Sequence, residues 1–316
     1  MYSLNSGVYC LDSGVHYIED DSASREFLLD TIESQGFEVR VAMDGLSGLE
    51  AFKEFNPDMV LSDIRMPKMD GLEMLKEIRK LDSNVIVIMS TAFGCEEYAI
   101  KALRYRANNY LKKPIRHKDL LPLIHKCSSL INRSDPVDMP EIGSEEVKTH
   151  FTLTMQSTVE DIPDMVNLLM KATSGSLDEK EILNTKLGLT ELLTNAIENG
   201  NLEITSEEWA EAFLKGEKGL KMLREEKMSN PLIARRTVKV TYKSDDGFFE
   251  WIISDQGKGF DWQRILRECD GMNPLDIECK GIFLSRFHFD GMEYMDNGST
   301  VRVRKRRAST SQESPA

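Results

Sequence analysis

Glu19, Asp20, Asp63, Thr91 and Lys113 are residue types that together suit phosphoryl chemistry, and each follows a short apolar run. Residues 15–18 lead to Glu19-Asp20-Asp21, 59–61 to Asp63, 85–89 to Ser90-Thr91, and 110–111 to Lys113-Pro114. In an open parallel sheet such strand ends share one edge, where ligands bind. Carboxylates gathered there raise each other's proton affinity unless a cation neutralises them, and hard oxygen ligands suit Mg²⁺. With the metal bound, one carboxylate can attack a phosphoryl group while metal, ammonium and hydroxyl share the charge on its equatorial oxygens. Asp63 is the candidate nucleophile. A lone Asp at a strand end is ordinarily a turn or helix cap, but strand ends have no structural need for several acids, a Lys and a Thr on one edge.

A second group lies further along. Glu191, Asn195 and Asn199 stand at i, i+4 and i+8 of a helical pattern, hence on one face. An Asn amide oxygen can coordinate Mg²⁺ without adding charge, and a Glu one turn earlier can hold a water or accept a hydroxyl proton near the same metal. In Asp255-Gln256-Gly257-Lys258-Gly259-Phe260 the Asp can accept from an exocyclic amine, and the glycines let backbone approach a ligand. Lys280-Gly281-Ile282 opens another helical pattern whose N-terminus can receive phosphate. Taken singly these are weak signals: a Gly-x-Gly turn is commonly only a turn, and a Glu/Asn helix face is commonly only solvated.

The elements that must carry these groups fall into two patterns. Over 15–130, five short apolar runs alternate with helical patterns; Leu72, Leu75 and Ile78, for example, recur every three residues. This predicts a doubly wound parallel sheet in an α/β domain over 14–131. Residues 132–149 lose the pattern and read as a linker. The second half predicts a strand over 151–155, helices from 161 and over 179–199, a charged helical stretch over 206–228, and two hairpins. One is formed by 237–242 and 248–253 around Ser244-Asp245-Asp246-Gly247, the other by 292–295 and 300–303 around Asp296-Asn297-Gly298. Segregated helices and antiparallel strands make an α+β sandwich over 150–306, with 307–316 as a disordered tail. The length of 316 residues suits two domains.

The net charge of −13 disfavours binding to phosphate backbones. The five cysteines form no C-x-x-C pair, no run reaches the length of a membrane span, and the start has no basic-then-apolar segment. The expectation is a reduced, soluble, cytoplasmic protein without structural zinc.

The residues Asp63-Ile64-Arg65-Met66-Pro67-Lys68-Met69-Asp70-Gly71 resemble the signature of response-regulator receiver domains, as do Thr91-Ala92 and Lys113-Pro114, with Tyr110 three before the Lys. The resemblance covers 15–130 and implies a flavodoxin-like fold. It further implies that Mg²⁺ is held by Glu19, Asp20, Asp63 and Arg65, that Asp63 becomes an aspartyl phosphate gripped by Thr91 and Lys113, and that Tyr110 swings inward. Glu at the first acidic position is a mild departure that still supplies an oxygen.

Glu191-x-x-x-Asn195, then Asp255-x-Gly257-x-Gly259, then Gly281, resembles the GHKL superfamily of Bergerat-fold ATPases and kinases over about 150–305. The run 190–201 is most similar to anti-sigma-factor serine kinases, and so are 281–287, 290–294 and Asn297-Gly298. The resemblance implies ATP, with Mg²⁺ on Asn195 and Asn199 beside it, and adenine on Asp255 in a pocket shaped by Gly257 and Gly259. Phosphate would meet Lys280 and Gly281, and Glu191 would be general base toward a protein serine or threonine. Two departures stand out: Cys279 before the basic residue of the lid loop, and the 206–228 stretch, which reads as an insertion whose Trp209, Phe213, Leu220 and Leu223 pack as a helical cover or meet a partner.

These readings combine into a two-component response regulator whose Asp phosphorylation controls an ATP-dependent protein serine/threonine kinase domain. Its partners would be a cognate sensor histidine kinase and a partner-switching antagonist protein or sigma factor, with no direct nucleic acid and no membrane; a homodimer stays open. The alternative is a nucleotide-gated binding module that sequesters a sigma factor or antagonist without transfer. A hybrid histidine kinase fits poorly, because His125 and His150 lie on no long amphipathic helix pair. A DNA-binding output is weaker still, because the basic cluster 302–307 sits on a final strand.

Overall fold

The computed structural model describes residues 14–92, 96–131, 150–173, 176–271 and 280–308. The chain divides into two compact units, 1–134 and 135–316, with the division inside the expected linker, itself outside the described residues.

In the first unit, strands β1 (Gly14–Ile18), β2 (Glu38–Ala42), β3 (Met59–Asp63), β4 (Ile86–Thr91) and β5 (Asn109–Lys112) alternate with helices α1 (Ser22–Glu33), α2 (Gly45–Phe55), α3 (Gly71–Leu81), α4 (Glu96–Arg104) and α5 (His117–Ile131). The strand order is β2-β1-β3-β4-β5, and the pairs are parallel. This is the flavodoxin-like arrangement, with its switch point between β1 and β3. Strands β3 and β4 are buried along their whole length, which is why they read as continuous apolar runs. Ile18, Val60, Met74, Leu75, Val87 and Met89 are among the buried core. Helices begin where an Asp can accept from an orphan amide: Asp21 from Ser24, Asp44 from Ser47 and Asp70 from Glu73. Asp21, third of the acidic run, is therefore a helix cap.

The second unit carries strands β6 (His150–Gln156), β7 (Thr237–Ser244), β8 (Phe248–Ser254), β9 (Gly291–Met295) and β10 (Thr300–Arg306) in one antiparallel sheet, order β6-β7-β8-β10-β9. Its helices are α6 (Ile162–Lys171), α7 (Glu179–Asn195), α8 (Ser206–Phe213), α9 (Gly216–Met228), the single turn α10 (Pro231–Ala234), α11 (Trp262–Gly271) and α12 (Lys280–His288). Both expected hairpins form, the first tightened by Asp245 accepting from the Gly247 and Phe248 amides. Tyr242, Phe249 and Trp251 alternate inward from the sheet, and Trp251 meets Phe289 near the end of α12. Gly188 of α7 packs so closely on Phe289 that a Cβ there would lie 2.5 Å from the ring. The result is an α+β unit.

Three expectations change. The helix expected over 179–199 ends at Asn195 and passes into a wider π-helical turn, Ala196–Asn201, in which Leu202 N–H reaches back to Ile197 O at 2.8 Å. The 206–228 stretch is two helices, because Gly216 takes a left-handed φ of +70° between them. Arg307 and Ala308, expected in the tail, are bonded: their amides donate to Gly247 O and Ser176 O, and Arg307 lies over Phe249. Residues 309–316 lie outside the described residues. No helix among the described residues is long and apolar enough to cross a membrane.

Candidate functional site

At the carboxyl edge of the first sheet, Lys113 joins two acids from different strands. Its Nζ lies 2.6 Å from Asp63 Oδ2 and 2.8 and 2.7 Å from Glu19 Oε1 and Oε2. The other Asp63 oxygen, Oδ1, accepts from the Ile64 amide at 2.6 Å and the Arg65 amide at 3.3 Å. One carboxylate thus has its two oxygens held by different groups, backbone amides on one side and an ammonium on the other. Burial pushes the Glu19 carboxyl up, against the lowering effect of Lys113. Burial also opposes the Lys113 charge, but hydrogen bonds to Asp63 and Glu19 outweigh it and hold the ammonium above the usual lysine range. Tyr17 donates to Glu19 Oε2 at 3.3 Å, and burial foremost raises its hydroxyl.

Oxygens of Glu19, Asp20 and Asp63 come within 4.8 Å of one another, with Asp20 exposed and the other two buried. This all-oxygen, anionic donor set fits Mg²⁺. A guanidinium cannot ligate a cation, and that of Arg65 lies 5.4 Å over the Tyr98 ring, so Arg65 can serve a metal only through its backbone carbonyl. Thr91 is buried at the end of β4, and its carbonyl accepts from the Lys113 amide at 2.8 Å. Tyr110, expected to swing inward, already lies inside at 1% exposure.

The loop after Asp63 is fastened from two sides. A Cβ on Gly71 would lie 2.1 Å from Asp63 O, so only glycine lets the start of α3 close on the Asp63 backbone. Lys68, at a left-handed φ of 64°, donates to Asp44 Oδ2 at 2.6 Å. The Lys68 hydrogen bond, followed by the Ser47 amide, holds Asp44 down at about 2.

In the second unit the expected residues are brought together in pairs. Asn199 Nδ2 donates to Asn195 Oδ1 at 3.2 Å, although one now lies in the π turn and the other ends the α-helix. Glu191 lies against the start of α12: a Cβ on Gly281 would fall 1.8 Å from Glu191 Oε1. Asp255 Oδ1 accepts from Gly257 N at 2.8 Å, and burial lifts its carboxyl to about 6 against that bond and the nearby Arg236. The π turn abuts this loop, since a Cβ on Gly257 would lie 2.2 Å from Gly200 O and one on Gly200 2.5 Å from Asp255 Cγ. Gly259, at φ +70°, closes on Asn297 O. Lys280 begins α12, and its side chain lies outside the described residues, as does Cys279.

Sequence reasoning missed the groups that hold these pieces. Glu203, itself left-handed at φ 53°, accepts from Arg236 at 2.8 Å and Lys258 at 2.5 Å. Fully buried Asn201 donates to Ser157 at 2.9 Å and accepts from the Gln256 amide at 2.7 Å. Glu198 pairs with Arg224 of α9. The one available signal was the density of Glu and Asn over 195–203.

The sequence profile of the response regulator receiver domain matches residues 15–125. The chemotaxis protein CheY of Bacillus subtilis is 36% identical over 110 residues, 34% of this chain and 92% of that protein. CheY of Thermotoga maritima is 34% identical over 112 residues, 35% of this chain and 93% of that protein. The regulatory protein AtoC of Escherichia coli is 37% identical over 113 residues, 36% of this chain, but the match spans 24% of AtoC. Among solved structures, a response regulator receiver domain protein from Clostridium thermocellum is similar at 32% identity, covering 37% of this chain and 94% of that one with a TM-score of 0.36. Through residues 15–125, this chain belongs to the response regulator receiver family.

Proposed function

We propose that the chain is a phosphorylation-controlled regulator in which Asp63 receives a phosphoryl group and the second unit is an ATP-dependent protein serine/threonine kinase. The observation that carries the first clause is the division of labour at Asp63, with Oδ1 on backbone amides and Oδ2 on Lys113. Receiver domains take their phosphoryl from sensor histidine kinases or phosphotransfer proteins, and a cognate kinase of that class is the donor here. An Asp63 oxygen forms the P–O bond as the donor's P–N bond breaks, and the leaving imidazole takes up a proton. Glu19, Asp20, Asp63 and the Arg65 carbonyl would hold Mg²⁺, which would supply charge neutralisation at the phosphoryl oxygens, while Lys113 and Thr91 hold the phosphoryl group.

In the second unit Asp255 accepts from the adenine amine, with Gly257 and Gly259 beside the base and Asn195 and Asn199 at the metal end. Lys280 and Gly281 sit at the phosphates, and Glu191 takes the proton of a partner's hydroxyl. Supporting this are the approach of Glu191 to Gly281 and of the asparagine-bearing turn to the Asp255 loop. The acceptor is a serine or threonine of a partner-switching antagonist protein.

Calorimetric titration of ATP with and without Mg²⁺, before and after treatment with acetyl phosphate, tests both clauses. ATP binding that depends on Mg²⁺ and changes after the phosphodonor is expected. Failure to bind ATP removes the kinase clause. Binding without transfer to any hydroxyl protein leaves a nucleotide-gated binding module, and in that case Glu191→Ala leaves the output unaltered.

A further inference from the structure

We propose that Arg224, in the inserted helix α9, is a positioning residue for the turn that carries Asn199. The proposal rests on the nucleotide reading of that turn and assigns a role to the 206–228 segment. Glu198 lies between Asn195 and Asn199, and its side chain is 8% exposed. Its Oε1 accepts from Arg224 Nε at 2.9 Å and Nη2 at 2.6 Å. A carboxylate so enclosed is tolerated only with a hydrogen-bonded counter-charge. Without Arg224 the carboxylate is left enclosed with no counter-charge, and the turn is drawn toward water.

The turn is the kind of backbone that such a loss would disturb. It is a π-helical segment, Ala196–Asn201, a rare geometry that needs support from outside its own hydrogen bonds. Its other side is already set by the Gly200–Gly257 approach and by Asn201 and Glu203. Helix α9 closes the near side with two residues three positions apart, hence on one face: Arg224 on Glu198, and Lys227, which reaches Glu203 O at 3.5 Å and Glu208 at 2.7 and 2.8 Å. The helix is itself backed, because a Cβ on Gly219 would lie 2.1 Å from Ala212 O, so α8 and α9 cross at backbone contact. The insertion is thus a brace on the metal end of the pocket, while Asp255, at the adenine end, also has a loop hydrogen bond of its own from Gly257.

The test uses the full chain, Arg224→Ala, and the milder Glu198→Gln, which keeps the shape and removes the charge. Amide hydrogen exchange at 196–202 is read against exchange in β7 and β8, and ATP affinity is measured with Mg²⁺ and in excess chelator. Arg224→Ala is expected to speed exchange at 196–202 by about tenfold or more, with the strands unchanged. Mg²⁺-ATP affinity is expected to fall about tenfold, with less than about twofold loss in chelator. Glu198→Gln is expected to show both effects at smaller size. Equal losses with and without Mg²⁺, or unchanged exchange at 196–202 in both variants, overturn the proposal. If Arg224→Ala loses protection in the strands as well, Glu198→Gln alone decides. A wild-type chain that binds no ATP refutes the nucleotide reading, and exchange at 196–202 then decides whether Arg224 holds the turn.

Discussion

The two units assemble their polar groups by opposite means. In the first, Glu19, Asp63, Thr91 and Lys113 come from four strands, and a parallel sheet delivers all four strand ends to one edge. What remains is charge, and Lys113 meets both acids. In the second, the sheet is antiparallel and the groups lie on a helix, a π turn and a loop, none of which regular topology aligns. Close approach at glycines does that work: Gly200 on the Asp255 carboxylate, Gly257 on the Gly200 backbone, Gly281 on the Glu191 carboxylate. The groups on strand ends are therefore gathered by sheet topology and joined by ion pairs, whereas those on turns are gathered by close approach at several glycines and by clamps such as Glu198–Arg224.

Substitutions that act on one mechanism and spare the other sharpen this contrast. The largest expected effect is Asp63→Asn, which abolishes phosphoryl uptake from acetyl phosphate in intact-mass measurements while leaving ATP binding at the second unit in place. Phosphoryl uptake retained at the wild-type level would mean another acceptor. Next come Gly71→Ala and Gly257→Ala, whose new methyl groups would lie 2.1 and 2.2 Å from backbone oxygens. Each is expected to cost its own unit about 1–3 kcal/mol in urea unfolding, read as a shift of that unit's own transition.

A pH series gives a smaller effect. With Asp255 lifted to about 6, its carboxylate predominates above that value and is lost as pH falls through it. Nucleotide affinity is expected to drop about tenfold per pH unit below 6, and Asp255→Asn to flatten the profile. A wild-type profile that is flat from pH 7 to 5 would separate Asp255 from the ligand. The smallest effect is at Asp44. Its folded value of about 2 lies below the ordinary 3.8, so its contribution is present above about pH 4 and is lost as pH falls toward 2. Asp44→Ala should remove that part of the acid dependence and also cost the first unit about 1 kcal/mol as a lost cap. An unchanged acid transition would show that Lys68 and Ser47 contribute nothing through it.

Most of the first unit was legible because its signals are local and repeated. Five apolar runs marked five strands, and parallel pairing then left little freedom in where Asp63, Thr91 and Lys113 fall. Gly71 was visible as part of a motif, but its reason, the oxygen of Asp63 2.1 Å from where a Cβ would stand, is a contact between residues eight apart. In the second unit the hairpins were legible from Asp-Asp-Gly and Asp-Asn-Gly turns. The end of α7 was not, because Asn195 to Asn201 has no helix breaker before Gly200, and what widens the turn is held from elsewhere. Nor could spacing show that Glu198 and Glu203 serve as anchors, since their partners Arg224, Arg236 and Lys258 lie 26, 33 and 55 residues away.

The order of elements, the residues at each strand end, the acidic donor set and the two hairpins follow from the amino-acid sequence by itself, since hydrophobic period and turn chemistry act over a few residues. Which acid meets Lys113, which Asp only caps a helix, where α7 widens, and which cations neutralise Glu198 and Glu203 were decided by tertiary structure. Burial and ion pairing depend on distances across the fold, and chain separation carries no information about those distances.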